Sequence, residues 1–418
     1  MRSPVVSEVW RAESRQLTVA DFFAELPERA FTFLYGEGRW LILAEDPLAH
    51  LGHFGLKSFH FERRGPQPPI LPDLFGHATY EFGYGLDPAL PCAPNHSVVL
   101  PDFRLTLYRG VRIYDRVEGL LYTAERSFER ELESCLHGLG SGGFRANKRG
   151  DSDGSATYQA KVARIREEIA QGNVYQVNLT RLEDWAFEGD LRVFAQRLQR
   201  VNPAPYSALV ADPAWTIISS SPESFFRIEA GRIRTRPIKG TAPRGKDPRE
   251  DRRLLDELAS SAKNRSELAM IVDLLRNDLA RICRVPSVRV EAFPTLESYA
   301  NVHHLVAEVS GELLTDARME DIFRALFPGG SITGCPKLAA MALIRELEAR
   351  PRSIYTGALG WCRADFRQAE FSIPIRTAWA SAGELHFGVG GGIVWDSDPR
   401  EEYEETLHKG RSLVQCLS

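Results

Sequence analysis

The sequence predicts a mixed α/β protein of the α+β type, in which most strands pair antiparallel. Hydrophobic residues make up 43% of its 418 residues and charged residues 26%, the balance of a soluble globular protein. In the second half, alternating segments follow one another too closely for regular strand-helix-strand crossovers. The strands predicted there cover residues 174–187, 206–211, 215–219, 224–229, 284–293, 301–311, 354–363, 370–380 and 384–389.

Apolar residues at helical spacing predict the elements that cover these strands. The first such segment, YQAKVARIREEIAQG, ends at Gly172, and glycine is common just past a helix C-terminus. The predicted helices span residues 158–172, 247–260, 264–281, 335–349 and 399–416.

The chain upstream of these elements carries few chemical signals. Residues 40–46 and 103–115 alternate as strands, and SFERELESCLHGL (127–139) has helical spacing. Residues 138–156 are rich in Gly, Ser and charge, which predicts an exposed linker or mobile loop. We therefore expect an N-terminal region at 1–137, a linker at 138–156 and a catalytic region at 157–418.

The charges and cysteines exclude several classes of function. Fifty-two basic and 56 acidic side chains give a net charge of -4, and no basic tract alternates with aromatics, so we expect a small-molecule ligand and no nucleic acid. The N-terminus lacks an apolar signal core, and no run of about 18 apolar residues occurs. A cytoplasmic protein without a membrane partner is expected. The six cysteines form neither zinc-type pairs nor a disulfide framework.

Two helices carry carboxylates that could bind a cation. Glu267 shares a helical stripe with apolar residues, so if buried it needs a partner or a metal; alternatively it is an exposed first-turn glutamate. In the last helix, Glu402, Glu405 and Lys409 project from one face. Two carboxylates suit Mg²⁺, which takes its remaining ligands from water and an anion. The alternative is an ordinary salt-bridged surface helix.

Glycine-rich segments suggest where an anion could bind. They are FPGGSITGCPK (327–337), IYTGALGW (354–361) and FGVGGGIVWD (387–396). Thr333 and Gly334 precede a predicted helix, whose free amides could hold a carboxylate or phosphate. No Walker spacing is present, which argues against a nucleotide. Arg376 and Lys409 could hold carboxylates, and arginine is suited to bidentate pairing.

One lysine stands out by its context, in TRPIKGTAPRG (235–245). Lys239 lies between a rigid Pro-Ile and a flexible Gly-Thr. The simplest interpretation is a solvated lysine in a surface turn. Only the remaining motifs favour another interpretation.

Ten segments, in this order, resemble the motifs of chorismate-utilising enzymes, the family of the component I chains of aminodeoxychorismate synthase and anthranilate synthase. They are YQVNLT, SSPESF, TRPIKGTAPR, SELAMIVDLLRNDL, VHHLV, FPGGSITGCPK, YTGALGW, IPIRT, GGGIVWDSDP and EEYEETLHK, between residues 157 and 418. The resemblance implies two mainly antiparallel sheets packed as a sandwich with helices outside. Residues 1 to about 137 would complete the sandwich.

The resemblance also implies roles for individual residues. The Mg²⁺ ligands would be Glu267 and Glu405, with Glu402 beside them. The substrate-binding residues would be Thr241, Tyr355, Arg376, Lys409 and the amides of Gly390, Gly391 and Gly392. Thr333 and His304 would lie near the ring of chorismate, and Glu223 would protonate the departing C4 hydroxyl, for which its pKa would have to be raised.

Two positions mark the branch of the family that the chain resembles. In the aminodeoxychorismate branch, the lysine at position 239 is the nucleophile that adds to C2 of chorismate, whereas anthranilate synthases typically carry alanine there. We expect Arg236 and bound Mg²⁺ to lower its pKa, since only a neutral amine attacks. Relatives that add water have a lysine where this chain has Gln176, and a neutral amide cannot serve as that base.

The implied activity is Mg²⁺-dependent amination of chorismate at C4 with ammonia, giving 4-amino-4-deoxychorismate for p-aminobenzoate and folate. A separate glutaminase subunit would supply the ammonia, because no cysteine here lies in a Gly-x-Cys-x-Gly setting. One alternative is anthranilate synthase component I, which makes anthranilate and pyruvate. Another is a non-catalytic chorismate-fold binding subunit, which the retained acids and lysines disfavour.

Overall fold

A computed structural model describes residues 5–36, 38–52, 59–90, 99–128, 132, 135–299 and 302–417. In these ranges the strands are β1 (Val5–Ser14), β2 (Phe31–Gly36), β3 (Trp40–Leu51), β4 (His60–Arg64), β5 (Leu74–Ala78), β6 (Phe103–Asp115), β7 (Leu120–Phe128), β8 (Phe144–Asp151), β9 (Gln176–Gly189), β10 (Tyr206–Ala211), β11 (Thr216–Ser221), β12 (Ser224–Glu229), β13 (Arg232–Arg236), β14 (Ile238–Pro243), β15 (Arg289–Ser298), β16 (Val302–Glu312), β17 (Gly334–Cys335), β18 (Ala358–Cys362), β19 (Ala369–Ser372), β20 (Thr377–Ser381) and β21 (Glu384–Ile393). The α-helices are α1 (Val19–Ala24), α2 (Ser155–Ala170), α3 (Leu191–Val201), α4 (Pro248–Ser260), α5 (Ala262–Ala280), α6 (Met319–Leu326), α7 (Lys337–Leu347) and α8 (Pro399–Leu417). Short 3-10 turns cover Tyr80–Gly85 and Gly330–Ile332.

The strands form one continuous hydrogen-bonded network with two halves. One half runs from β15 through β16, β13, β12, β19, β18 and β5 to β6 and β3. The other runs from β2 through β10, β11, β20 and β21 to β9. The β2–β3 pairing joins them. Described pairings are antiparallel apart from β1 with β4, so the predicted mixed α/β, mainly antiparallel architecture is confirmed.

Alternation along the strands places apolar side chains on both faces of this network. Ile217 on β11, Trp361 on β18 and Trp379 on β20 share one buried cluster, which lies between the two halves. Their strand neighbours Ile218 and Ala378 point the other way, into a cluster covered by α1, α3 and α8. The period of two in the side chains thus produces an inner core and a helix-covered outer face.

Two local predictions in the first half of the chain are wrong. Ser127 and Phe128 end strand β7 instead of starting a helix. Leu136 forms an isolated bridge with Arg29, while 129–131, 133 and 134 lie outside the described residues. Within the segment 138–156, expected as a linker or mobile loop, residues Phe144–Asp151 form β8, which pairs with β9. The division of the chain into regions stays a prediction.

One predicted strand, 370–380, is two strands separated by a turn. Arg376 lies in this turn with φ of 51°, a left-handed conformation that ends the ladder. A similar turn precedes β18, where Ser353 and Thr356 also have positive φ. Both turns carry residues that the family resemblance assigns to substrate binding. None of the helices in the described part of the chain is long and apolar enough to span a membrane.

Candidate active site

The floor of the site is formed by β9 and β21, which pair antiparallel. Thr180 lies opposite Gly390 and Asn178 opposite Gly392. A Cβ at position 392 would lie 2.6 Å from Nε2 of Gln176 and 3.5 Å from Nζ of Lys239. The glycines therefore leave space for groups that converge on them from other elements.

Lys239 reaches this floor from β14. Its Nζ lies 4.0 Å from Oε2 of Glu267 on α5. The next residue, Gly240, has φ of +78°, and a Cβ there would come within 2.8 Å of Asn264. Glycine thus lets α5 approach the strand beside the lysine, which explains the Lys-Gly pair. The lysine side chain is 13% exposed, so a solvated surface lysine is excluded.

Burial lowers the pKa of Lys239 below its usual value. Glu267 opposes this shift by its negative charge, and Lys409 adds to it by repulsion. We expected Arg236 to be the neighbouring cation, but Arg236 is paired with Glu297 and Glu308 on the neighbouring strands. The nearby positive charge comes from α8 instead.

Helix α8 supplies one wall of the site. Glu402 and Glu405 face Gly391, and a Cβ there would lie 3.0 Å from Oε2 of Glu402 and 3.7 Å from Oε1 of Glu405. Lys409 lies 2.6 Å from Glu405 and donates to the carbonyl of Gly390 at 2.9 Å. The predicted convergence of these three side chains is therefore present.

The two carboxylates of α8 have opposite pKa shifts. Burial raises the pKa of Glu402, and its neighbour Glu405 adds to this, although Ser397 donates a hydrogen bond to it at 2.6 Å. Burial also acts to raise the pKa of Glu405, but Lys409 holds it below its usual value. Glu405 is therefore the more readily ionised of the two.

Glu223 lies in the turn between β11 and β12 and is 5% exposed. Burial raises the pKa of this carboxyl, while the hydroxyl of Ser331 donates to its Oε1 at 2.7 Å. The sequence analysis did not single out Ser331, although it lies within the FPGGSITG motif. The raised pKa makes this carboxyl a better proton donor than an exposed glutamate would be at the same pH.

A third wall combines His304 with Arg376. Nδ1 of His304 is 2.9 Å from Oγ1 of Thr241, because their strands β14 and β16 pair at these residues. Burial lowers the pKa of His304 to about 4, and Arg376 contributes by its positive charge. His304 is therefore neutral near pH 7.

Arg376 is partly buried, and this desolvation lowers its pKa. It donates to Oδ1 of Asn202 at 3.2 Å, and no described carboxylate lies within 4.0 Å of its guanidinium. A buried guanidinium without an acid partner is costly unless an anion binds there.

Three buried polar side chains of β9 also lack hydrogen-bond partners. These are both ends of the Gln176 amide, Oδ1 of Asn178 and Oγ1 of Thr180. Gln176 is fully buried, so its amide is free to contact a bound molecule beside Gly392.

Thr333 and Tyr355 lie in turns held by one buried arginine that the sequence analysis missed. Thr333 donates to the carbonyl of Gly329, and burial raises the pKa of Tyr355. Arg352 donates to the carbonyl of Ile332, next to Thr333, at 2.9 Å and to that of Asn178, two residues from Gln176, at 2.7 Å. The sequence alone does not single out Arg352, because an arginine beside a glycine-rich turn can have many different roles.

Donors for a cation are present on two walls, Glu267 on α5 and Glu402 and Glu405 on α8. No three His, Cys, Asp or Glu side chains in the described ranges meet at metal-ligand spacing. The donor chemistry nevertheless fits Mg²⁺, which commonly uses one or two protein carboxylates and completes its shell with water and an anion. Gly391 leaves these carboxylates accessible from the floor.

A largely buried amine, a guanidinium without an acid partner and a group of carboxylates are the features of an enzyme that binds a small acidic molecule. The chain belongs to the chorismate binding enzyme family, whose sequence pattern matches residues 22–415.

Comparison with individual proteins agrees with this family assignment. The chain is 40% identical over 390 residues to aminodeoxychorismate synthase component 1 of Bacillus subtilis, covering 89% of this chain and 82% of the relative. It is 38% identical over 310 residues to anthranilate synthase component 1 of Saccharolobus solfataricus, covering 74% and 72%. The menaquinone-specific isochorismate synthase of Escherichia coli has the same fold, with a TM-score of 0.78 at 18% identity over 100% of this chain and 95% of that one.

Proposed function

We propose that this protein is an aminodeoxychorismate synthase component I, which aminates chorismate at C4 with ammonia to give 4-amino-4-deoxychorismate. The observation that carries the proposal is Lys239, a largely buried lysine with a lowered pKa beside Gly392 and Gln176. The full-length similarity to proteins of that name supports it.

Lys239 is the nucleophile in this proposal. Its neutral amine forms a bond to C2, the two ring double bonds shift, and the C4–O bond breaks. Glu223 gives its proton to the departing hydroxyl, which leaves as water, and the new ammonium on Lys239 loses a proton. Ammonia then bonds to C4 while the double bonds shift back and the C2–N bond breaks. One proton passes from the new C4 ammonium to the departing lysine nitrogen, which regenerates the neutral lysine. The raised pKa of Glu223 and the lowered pKa of Lys239 support these roles.

The remaining site residues bind and orient the substrate. Arg376 lacks an acid partner and is suited to one carboxylate. Lys409, Tyr355 and the amides of Gly390, Gly391 and Gly392 would hold the other acidic and polar groups. Thr241 and neutral His304 would contact the ring side together with Thr333, while Gln176 orients ammonia or the C4 substituent.

Glu267 and Glu405 would hold Mg²⁺, with Glu402 beside them. When bound, the metal ion would neutralise a substrate carboxylate. Lys239 lies 4.0 Å from Glu267, which is farther than in a tight ion pair. This distance suits a lysine that must lose its proton before it attacks.

The partner proposed is a separate glutaminase that delivers ammonia. The B. subtilis relative is named as one component of its synthase, and the present chain has no cysteine in a nucleophile-elbow setting.

Product analysis tests the function directly. Purified protein is incubated with chorismate, Mg²⁺ and ammonium, and the products are separated by chromatography and identified by mass. We expect 4-amino-4-deoxychorismate. Anthranilate with pyruvate would assign the chain to the anthranilate branch, and unchanged chorismate under all conditions would leave a binding subunit.

A further inference from the structure

A small pocket of about 200 Å³ lies between the 3-10 turn Tyr80–Gly85 and the C-terminal end of α7. None of the residues proposed above to touch chorismate or Mg²⁺ lines it. Its walls come from an N-terminal turn and from the segment that follows α7, so it is distinct from the cleft at Lys239.

Two hydrogen-bond donors at this pocket have no partner. The hydroxyl of Tyr80 makes no hydrogen bond of normal geometry although the residue is only 1% exposed and the hydroxyl of Tyr84 lies nearby, and the buried Nη1 of Arg345 is unpaired. No described acidic side chain lies within 4.0 Å of the Arg345 guanidinium. Leaving such donors unsatisfied is costly, and more so when the donor is charged.

The other charged groups at the pocket are already occupied. Glu348 pairs with Arg352 and accepts the N–H of Thr180. Arg350 pairs with Asp184 on β9. The carboxylate of Glu81 accepts the N–H groups of Arg352 at 2.7 Å and Ser353 at 3.0 Å. Arg345 therefore remains the cation without a counter-charge.

The rest of the lining is apolar. Ile344 is buried, Pro351 closes one side, and the ring of Tyr84 lies beside that of Tyr80 at 5.9 Å between centroids. The hydroxyl of Tyr84 donates a hydrogen bond to the carbonyl of Met341. An occupant that accepts hydrogen bonds at one end, carries a negative charge and has an apolar body matches this lining.

We propose that this pocket is a second ligand site, which binds a small monocarboxylate with an apolar or aryl body through Arg345 and the Tyr80 hydroxyl. A carboxylate accepts from a guanidinium and a phenol at once, which satisfies both orphan donors and compensates the charge. Water could satisfy Tyr80 but would leave Arg345 uncompensated. The inference does not depend on the activity proposed above.

The test uses 4-bromobenzoate and the full chain. Crystals grown with this probe are measured at the bromine absorption edge, where an anomalous peak locates the ligand. Affinity is measured by calorimetry in the Arg376→Gln background, so that binding in the catalytic cleft does not mask the second site. Tyr80→Phe and Arg345→Gln are compared with Arg253→Gln, an exposed arginine paired with Glu257 on α4.

We expect a bromine peak between Tyr80 and α7. Arg345→Gln should weaken binding roughly tenfold or more and Tyr80→Phe several-fold, as expected for a charged and a neutral hydrogen bond, while Arg253→Gln leaves it unchanged. Melting temperatures verify that each variant folds. A pocket without bromine, or undiminished affinity in either pocket variant, overturns the proposal, because a pocket that merely holds water would give these results.

Discussion

The Nζ of Lys239 on β14 and the Oε2 of Glu267 on α5 lie 4.0 Å apart, with 13% and 16% of the side chains exposed. At this distance Glu267 attracts the ammonium, yet burial and Lys409 prevail, and the pKa of Lys239 is lowered. The carboxylate of Glu267 therefore lies near the amine of Lys239 without reversing the lowering of its pKa.

The first prediction concerns a covalent intermediate on Lys239. With chorismate and Mg²⁺ but no ammonia, the peptide containing Lys239 should gain the mass of chorismate minus one water, and ammonia should discharge it. Lys239→Ala should lose the adduct and most aminated product while still binding chorismate, since Arg376 is intact. Residual activity can persist because general acid catalysis and electrostatic stabilisation remain, and these typically raise the reaction rate on the order of 10²-fold.

Peptide mass spectrometry and product chromatography measure both effects. Lys246, an exposed lysine in the following loop, is the control, and Lys246→Ala should behave as wild type. An unmodified Lys239 peptide under turnover conditions would show that the lysine only lines the cleft as a charged group and does not form the intermediate.

Metal dependence is the second prediction. Glu405 and Glu267 are hard oxygen donors, so activity should vanish on chelation and return with Mg²⁺. Glu405→Gln should lower kcat by a hundredfold or more, whereas Glu404→Gln, one position along α8, should change it little because Glu404 is paired with Arg400 at the surface. Steady-state rates with circular dichroism as a folding check are sufficient. Full activity of a folded, metal-stripped sample contradicts the assignment.

A third prediction separates ammonia from glutamine. The purified chain should use ammonium at alkaline pH, where more of it is free ammonia, and should not use glutamine. Adding a glutaminase component should make glutamine a substrate. Glutamine-dependent amination by the chain alone would show that a glutaminase centre had been overlooked.

The pH dependence of stability provides a fourth prediction, at Glu81. Burial raises the pKa of this carboxyl from 4.5 to about 7, against the effect of the backbone N–H groups it accepts. The native state therefore holds the proton more tightly than the unfolded chain, so the stabilisation is complete below about pH 4.5 and is lost as pH rises towards 7. The loss is roughly 1.4 kcal/mol per pH unit in this window.

Glu81→Gln is neutral throughout, so its melting temperature should fall less steeply than that of wild type between pH 5 and 7. Glu346→Gln, an exposed residue on α7, serves as the matched control and should follow wild type. Differential scanning calorimetry at half-unit steps gives the comparison. Parallel curves for wild type and Glu81→Gln would mean that Glu81 is ionised in the fold.

Strand periodicity predicted several elements well, and its failures have a physical cause. Segments 103–115 and 224–229 were predicted with the observed bounds of β6 and β12. Strand β7 was missed where Arg126 takes a buried position that an apolar residue usually fills. Arg126 pairs there with Glu8 of β1 and donates to the carbonyls of Pro72 and Asp73. Because the partners of Arg126 are distant in sequence, its charge interrupts the apolar alternation of the sequence, although the strand continues through it in the fold.

The site was predictable to the extent that side chains share one helix or motif. The face formed by Glu402, Glu405 and Lys409 follows from helical spacing, and the structure retains it. The contact between Ser331 and Glu223 joins residues 108 positions apart, and the burial of Lys239 depends on three separate elements. No local pattern encodes such contacts or the desolvation that shifts these pKa values.

The last prediction assigns a positioning role to Arg352. This buried arginine donates to the carbonyls of Ile332 and Asn178 and pairs through two nitrogens with Glu348. Its guanidinium also stacks on Tyr80 at 4.4 Å. It thus ties the turn before Thr333 to β9 at Asn178, two residues from Gln176. Lysine keeps the charge but cannot span these acceptors, because it lacks the planar fork of donors.

Arg352→Lys should therefore lower kcat at least tenfold with a smaller change in KM, since the groups that it positions are those proposed to surround the reacting atoms and Arg352 is not among the proposed substrate contacts. Its melting temperature should also fall, because Glu348 and two buried carbonyls lose partners. Arg350→Lys, which alters the half-buried pair with Asp184, is the matched control for stability and should leave kcat near wild type. Millimolar guanidinium should partly restore the rate of an Arg352→Ala variant by occupying the vacated space. A variant that melts earlier yet keeps the wild-type kcat, with no response to guanidinium, would limit Arg352 to stabilising the fold.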